Sequence, residues 1–177
     1  MPLIQVMSIT NVESDVTLKD GSSIHIRHVR PQDDRLLVRV FEQCSPWTIY
    51  QRFLTTLPEL SPEMARYLAD VDNRSRAAVI AETATGPIGV ARYEPTGDTG
   101  RVELGLIVVD AWQDRGLGRL LLREVFRAAQ ANGIHRFCAH VLGENRRMLH
   151  LLATEGQIQD WSTEAGMTTL SLTARPY

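Results

Sequence analysis

Several features of secreted, membrane-bound and nucleic-acid-binding proteins are missing from this sequence. It has two cysteines among 177 residues, Cys44 and Cys138, and no Cys-x-x-Cys pair, which favours reduced thiols in a cytoplasmic protein. No lysine or arginine precedes Lys19 and no long apolar run lies near the N-terminus, so we expect neither a signal peptide nor a membrane anchor. The net charge of -2 argues against a nucleic-acid partner.

Metal-binding patterns are also missing. The sequence has 5 histidines, and none of them shows the spacing of metal ligands. His25 and His28 would fall on opposite faces of a strand, because side chains alternate along it. We therefore expect isolated histidines in structural or surface positions and no metal site.

The composition and patterning are those of one α/β domain. With 44% hydrophobic and 23% charged residues, a chain of 177 residues can build one sizeable core. We predict a disordered tail over residues 1–15 and a single domain over 16–177, which begins with a hairpin over 16–29. Helices are predicted after Pro31 and Ser61 and over 117–131 and 144–154, and strands over 77–82, 88–93, 102–109, 137–142, 157–161 and 167–173.

Two glycines stand where a strong helical pattern begins, directly after an apolar strand. Glycine costs about 1 kcal/mol in a helix interior, so Gly116 and Gly118 indicate that another group approaches the backbone. The first amides of a helix lack partners and the dipole there is positive, which suits a pyrophosphate. A P-loop needs a Lys after its last glycine, and a dinucleotide-binding fingerprint needs a third glycine where this chain has Leu121. Neither motif fits.

The pattern that fits is Gln-x-x-Gly-x-Gly over 113–118, between an apolar strand and an amphipathic helix. It resembles the acyl-CoA signature of the GNAT N-acetyltransferases. A second stretch, Val-Leu-Gly-Glu-Asn-Arg-Arg-Met-Leu over 141–149, resembles the next strand and helix of that family. The resemblance covers residues 16–173 and implies an α/β fold with a mostly antiparallel sheet of about six to seven strands. That sheet would splay between its two parallel central strands and be flanked by about four helices.

A narrower resemblance runs through three further stretches. Residues 18–31, 45–53 and 60–63 look like the catalytic domain of bacterial Pat-type protein lysine acetyltransferases. This resemblance implies acetyl-CoA as the co-substrate and a protein lysine as the acceptor.

The resemblance also implies which residues hold the cofactor. The strand before the glycines would pair with pantetheine, and the loop would surround the pyrophosphate with two arginines adding positive charge. Asn145 would hydrogen-bond pantetheine or order the gap, although a place in the N-terminal cap of a helix is the alternative. The predicted cofactor-binding residues are Ile107, Val108, Val109, Gln113, Asp114, Arg115, Gly116, Leu117, Gly118, Arg119 and Asn145.

Acetyl transfer to an amine requires a base and an oxyanion donor. A lysine amine, with a pKa of about 10.4, is almost entirely protonated at pH 7 and cannot attack until its proton is removed. The resemblance implies Glu103 as the general base, in an apolar setting that would raise the pKa of its carboxyl, and the backbone N–H of Ile107 as the oxyanion donor. A solvated glutamate on an exposed strand face is the alternative. Gly105 fits either a β-bulge or close packing against a helix.

One departure from the family concerns the proton that the CoA thiolate must regain. Many GNAT enzymes carry a tyrosine seven residues after the asparagine, where this sequence has Leu152. A thiol with a pKa of about 8.5 can leave without much help, so turnover need not stop. Tyr50 and Tyr67 come from the region expected to cover the acceptor side, but no pattern positions them as the acid.

We therefore predict an N-acetyltransferase that transfers acetyl from acetyl-CoA to a primary amine by direct attack, with a protein lysine as the favoured acceptor. Two alternatives stay open: an acetyltransferase of a small-molecule amine, and a non-catalytic acyl-CoA-binding module that keeps Glu103 away from the thioester. Residues 45–72 would distinguish the acceptors, because a deep closed pocket favours a small molecule and an open groove favours a protein. A homodimer is also compatible with the sequence.

Overall fold

The computed structural model of the protein describes residues 12–98 and 100–176. Within them, eight strands form one sheet in the order β1-β2-β3-β4-β5-β6-β8-β7. The strands are β1 (Glu13–Thr17), β2 (Ser23–His28), β3 (Ala77–Thr83), β4 (Gly86–Pro95), β5 (Arg101–Val108), β6 (Arg136–Leu142), β7 (Gly156–Glu164) and β8 (Met167–Ala174). The helices are α1 (Asp34–Glu42), α2 (Pro46–Phe53), α3 (Pro62–Ala69), α4 (Leu117–Ala131) and α5 (Arg146–Glu155).

The first strand begins before the predicted start of the domain. β1 starts at Glu13 and pairs antiparallel with β2, so residues 13–15 of the predicted tail are part of the sheet. The rest of that tail, residues 1–11, lies outside the described residues. The described sheet has eight strands, slightly more than the resemblance implied. A fifth helix arises because residues 46–53, to which no element was assigned from the sequence, form α2.

The two short helices α2 and α3 begin with the same local signal. The Ser61 hydroxyl accepts a hydrogen bond from the Met64 amide at 3.2 Å, and Pro62 follows it at the first helical position. Ser45 does the same at α2, where it accepts from the Thr48 amide at 3.2 Å. A serine cap satisfies an amide that the helix leaves unpaired, and proline needs no amide partner there. Local sequence therefore determines where α2 and α3 start.

The sheet has a helical layer on each face. On one face α4 packs its apolar side, including Leu121 and Phe126, against β3, β4 and β5. On the other face α1 and α3 pack together over β4, with Phe41 and Ala65 in a second buried cluster. We call the face with α4 and α5 the cofactor side and the face with α1, α2 and α3 the acceptor side, after the roles that the resemblance implies.

The two parallel strands at the centre of the sheet separate soon after they meet. Three residue pairs join β5 to β6, namely Arg101 with Arg136, Val102 with Phe137 and Glu103 with Cys138. From Leu104 to Val108, β5 has no pairing with β6, while it stays paired with β4 along its whole length. The predicted splay is therefore present, and it begins directly after Glu103.

Candidate active site

The gap between β5 and β6 opens into a cavity of about 450 Å³. Its walls come from β5 over 103–108, the C-terminal part of α2, the loop before α4, β6 and α5. Small-molecule and cofactor sites usually occupy clefts of about 300–1,000 Å³, so the splay provides a space of suitable size. The cavity reaches both faces of the sheet, because residues of α2 and of α5 line it.

The strand that lines the cavity presents only alternate backbone amides to it. The Val109 amide donates to the Ile88 carbonyl of the β4 edge at 3.0 Å, and backbone groups alternate sides along a strand. The amide of Ile107 therefore also faces β4, whereas those of Leu106 and Val108 face the gap. The Val108 carbonyl fits this assignment, since it accepts from the Gln113 side chain at 3.1 Å. The alternation thus corrects the prediction for Ile107 and favours the Leu106 amide as the oxyanion donor.

The N-terminus of α4 lies at one end of the cavity with its first amides unblocked. Gly116 is the N-cap residue with φ 85°, a left-handed conformation that favours glycine, and no side chain caps the helix. A Cβ on Gly116 would have no heavy atom within 4 Å. Gly118 also lines the cavity, and its nearest neighbours would be methyl groups of Leu106 and Leu151 at 3.5 Å. The geometry suits an anion held by backbone N–H groups.

The loop before α4 is tied to the rest of the site by side chains. The Gln113 amide donates to the Thr48 hydroxyl of α2 at 3.2 Å, so this predicted cofactor residue also links the loop to the acceptor side. Asp114 has φ 60° and pairs with Arg147 of α5 at 3.0 Å. Arg147 also donates to the Gln113 side-chain oxygen at 3.0 Å. Arg147 therefore neutralises the carboxylate that the sequence places beside the expected pyrophosphate.

Four predicted cofactor residues are placed differently from the expectation. Arg115 pairs with Asp20 at 3.2 Å and lies over the Trp112 ring, and it is not part of the cavity wall. Val109 and Leu117 are buried in the two hydrophobic clusters, since alternation and helical phase direct their side chains into the core. Arg119 does line the cavity, but its guanidinium is held by the buried Glu155 at 2.8 Å, as is that of Arg123.

The predicted base stands at the point where the two central strands separate. Glu103 lines the cavity and is exposed, which corrects the expectation of an apolar setting. Its side chain lies on the acceptor face of the sheet, directly opposite Glu94 of β4. Two adjacent carboxylates repel each other, and the arginines around them offset that repulsion. The carboxylate is thus accessible to a group that enters between α2 and β5.

Gly105 accommodates a side chain rather than a bulge. The β4–β5 register is regular at this residue, which excludes the predicted bulge. A Cβ on Gly105 would lie 2.6 Å from Cζ and 3.1 Å from Nε of Arg52 on α2. Close packing, the second of the two readings, therefore explains this glycine, and the packed group is a guanidinium.

Several cavity residues were not predicted from the sequence. Asn145, which was predicted, lines the cavity. Its Oδ1 also accepts a hydrogen bond from the Met148 amide and so caps α5. Arg52, His140 and His150 line the same cavity, and only the positions of α2, β6 and α5 bring them there. The placement of His140 could have been predicted from the alternation of side chains along its strand. It lies two residues beyond Cys138 and so on the same face as Glu103.

Leu152, which replaces the usual tyrosine, is buried in the core and carries no group that could donate a proton. Among the described residues, no group of three or more His, Cys, Asp or Glu side chains could hold a metal ion. Within the same part of the chain, none of the helices has the length and apolar character needed to cross a membrane.

Comparison with known proteins identifies the family of this chain. The sequence profile of the Acetyltransferase (GNAT) family matches residues 40–156. The chain belongs to this family. The GNAT family uses acetyl-CoA, and the loop over 113–118 lies within the matched region.

Individual relatives show which members of the family the acetyltransferase is similar to. It is 28% identical over 144 residues to an acetyltransferase of Pseudomonas aeruginosa, covering 79% of this chain and 77% of that one. It is 29% identical over 146 residues to the acetyltransferase Pat of Mycolicibacterium smegmatis, covering 81% of this chain and 44% of the relative's length. The crystal structure of the GNAT domain of S. lividans PAT superimposes with a TM-score of 0.83 at 29% identity, over 91% of this chain and 96% of that domain. The acetyltransferase is thus consistent with a Pat-type catalytic domain.

A more distant structure shares the fold alone. The yncA protein of Salmonella typhimurium, solved with its cofactor acetyl-CoA, superimposes with a TM-score of 0.64 at 18% identity, over 87% of this chain and 95% of that one.

Proposed function

We propose that the acetyltransferase moves the acetyl group of acetyl-CoA to a primary amine, a protein lysine, with Glu103 as the general base. The observation that carries this proposal is that one cavity joins the exposed Glu103 carboxylate, the free amides of β5 and the open N-terminus of α4. Pantetheine would pair with the Leu106 and Val108 amides, and the pyrophosphate would lie at Gly116 and Gly118.

The reaction needs only groups that line this cavity. Glu103 accepts the proton of the acceptor ammonium, and the neutral amine then attacks the thioester carbon. The Leu106 amide donates to the oxyanion of the tetrahedral intermediate. When the C–S bond breaks, CoA leaves as a thiolate and takes its proton from the positively charged nitrogen of the tetrahedral intermediate or from solvent, which leaves a neutral amide as the product. Glu103 then releases its proton to solvent. A general acid in the place of Leu152 is therefore not required.

Two observations support a protein over a small amine as the acceptor. A smaller cavity on the acceptor side holds about 40 Å³, which leaves room for about three waters at most. The approach to Glu103 is therefore through the open side of the larger cavity. In addition, α2 and α3 carry three exposed large apolar side chains, Trp47, Met64 and Tyr67. Exposed aromatic groups of this kind are enriched at protein interfaces. The buried free cysteines also support a reducing compartment such as the cytoplasm.

The test is release of CoA from acetyl-CoA against a panel of small amines and lysine-containing proteins. We expect turnover with protein acceptors, detected as acetyl-lysine by mass spectrometry. Turnover with small amines alone would transfer the proposal to that acceptor class. Binding of acetyl-CoA without turnover on any amine would favour the non-catalytic module.

A further inference from the structure

Arg52 is a charged side chain on the acceptor side that the proposed reaction does not use. It stands at the C-terminal end of α2 and extends over β5, where Gly105 leaves room for it. It lines both the main cavity and the small apolar cavity beside it. Any amine that reaches Glu103 from the acceptor side therefore passes close to this guanidinium.

The neighbours of Arg52 leave its hydrogen-bond donors unused. Glu94, across the strand from Glu103, accepts from Arg76 at 2.5 Å and also from Arg92. Arg92 donates in addition to the Leu68 carbonyl at 3.1 Å. With the described residues, Arg52 forms no hydrogen bond or ion pair, and its guanidinium lies 5.1 Å from the centre of the Phe53 ring.

Arg52 has no paired carboxylate among the described residues. The Glu94 carboxylate pairs with Arg76 and Arg92, and Asp70 adds negative charge beside Arg76. Burial lowers the pKa of Arg52 to about 10, and Arg92 adds to this effect, while Glu103 and Glu94 oppose it. Arg52 is thus still protonated at neutral pH, and burial deprives its guanidinium of part of its hydration. A carboxylate would provide both charge and acceptor oxygens, in the geometry that guanidinium groups bind best.

We propose that Arg52 determines the choice of acceptor by binding a carboxylate that lies beside the reacting amine. The inference rests on the proposed function and names its acceptor class: a lysine with an acidic residue nearby. Glu103 and Gly105 are two residues apart on one strand face, so the amine and the carboxylate would bind about 7 Å apart. The α-carboxylate of a free amino acid has the same chemistry, and the experiment separates the two sources.

The test compares peptides that carry one lysine and either Asp or Asn at each of the three positions before and after it. A charge-assisted hydrogen bond contributes about 1.5–3 kcal/mol, so we expect kcat/KM for the best Asp peptide to exceed that for its Asn partner by about tenfold or more. The Arg52→Gln variant should reduce this ratio to below about twofold. Arg52→Lys, which keeps the charge but not the planar fork, should retain part of it.

Gly105→Ala provides an independent variant with the same net charge. The added methyl group would displace the guanidinium, which is the flexible end of a long side chain, and leave the strand in place. The Asp preference should therefore fall as in Arg52→Gln. Arg66→Gln is the matched control, because Arg66 lies on the exposed surface of α3 and pairs only with Glu63 among the described residues. It should keep the full preference, and all variants should bind acetyl-CoA as the wild type does.

The outcomes separate this inference from the proposed function. Equal rates for Asp and Asn peptides in the wild type, or an unchanged preference in Arg52→Gln, would overturn the role of Arg52 and leave lysine acetylation standing. If no peptide is acetylated, the proposed function fails, and peptide binding to the CoA-loaded protein then decides. Tighter binding of the Asp peptide only when Arg52 is present would support the inference, and equal binding would overturn it. A preference for free lysine over lysine amide, absent in peptides, would identify the free amino acid as the source of the carboxylate.

Discussion

The two sides of the sheet build their parts of the site in different ways. The cofactor side uses backbone groups that are consecutive in the chain: the amides of β5 and the start of α4, joined by one short loop. The acceptor side uses side chains that are distant in sequence, with Arg52 on α2, Arg92 on β4 and Glu103 on β5. Backbone geometry is encoded by local patterns of glycine and apolar residues. A cluster of distant charges depends on how the helices dock on the sheet.

This difference implies that the two sides can be damaged separately. Substitutions other than proline leave backbone groups in place, so the cofactor side is sensitive mainly to side chains that are added to it. Each side chain of the acceptor side can be removed, and its loss leaves partners without their counter-charge. The four predictions below test this separation, in order of decreasing effect.

Glu103→Gln should have the largest effect and should act on the acceptor side alone. Glutamine keeps the size and polarity of the side chain but cannot accept the amine proton, so turnover at neutral pH should fall by about 10²–10⁴-fold. Higher pH should recover part of the loss, because solvent then supplies neutral amine. The measurement is the pH–rate profile of both proteins with a competent acceptor, together with acetyl-CoA affinity, which should stay near the wild-type value.

Glu164→Gln is the control for this variant, since Glu164 is an exposed carboxylate on β7 outside the cavity. It should have a normal pH–rate profile. A normal rate for Glu103→Gln across neutral pH would contradict the assignment of the base, and weakened acetyl-CoA binding would contradict the separation of the two sides.

Glu94→Gln should destabilise the acceptor side and change its response to acid. Burial raises the pKa of Glu94, but Arg76 and Arg92 lower it by a larger amount. The pKa of Glu94 therefore lies below its ordinary value. A carboxyl with a depressed pKa stabilises the fold above its unfolded value of about 4.3, and this stability is lost as the pH falls through the folded pKa. We expect a loss of about 3 kcal/mol in the free energy of unfolding at pH 7 and a smaller loss near pH 3.

Urea unfolding at the two pH values measures this effect. Glu63→Gln is the control, because Glu63 and its partner Arg66 are exposed and such pairs contribute about 0–1 kcal/mol. Equal losses for Glu94→Gln at pH 7 and pH 3 would show that the ionised carboxylate is not the stabilising group.

Gly116→Asp and Gly118→Asp should act on the cofactor side. Each adds a carboxylate that competes with the pyrophosphate for the positive N-terminus of α4 and repels it, so acetyl-CoA affinity should fall by about tenfold or more. Calorimetric titration of the folded variants measures it. Gly133→Asp is the control. Gly133 lies at the other end of α4 and also has a positive φ and open space around its Cβ position, so this variant should bind acetyl-CoA normally. Unchanged affinity in both loop variants would exclude this loop as the phosphate site.

Leu152→Met should have the smallest effect. Leu152 is fully buried in the core of the cofactor side, and methionine replaces leucine with little change in volume. Stability should fall by less than about 1.5 kcal/mol, and turnover should be unchanged. Thermal unfolding and steady-state kinetics measure the two quantities. A severe loss of turnover in a stable Leu152→Met protein would show that α5 has a catalytic role that its buried leucine does not explain.

Local patterns were sufficient for the elements and for much of the cofactor side. Ser61 with Pro62 predicted the start of α3, and the apolar run before Gly116 predicted β5 and α4. The same signal stands at the start of α2, where Ser45 and Pro46 precede a short helix that docks on β5, although no element was assigned there from the sequence. The resemblance implied the Ile107 amide as the oxyanion donor, and the pairing of β5 with β4 directs that amide away from the gap.

The sequence by itself determined the fold class, the family and the position of the glycine loop, because these depend on spacing between residues that are near in the chain. Only the tertiary structure decided that Glu103 is exposed at the splay, that Gly105 makes room for Arg52 and that Arg147 crosses to the loop. Each of these facts is a contact between elements that are distant along the chain. Such contacts follow from the packing of helices on a splayed sheet, which no local pattern of residues specifies.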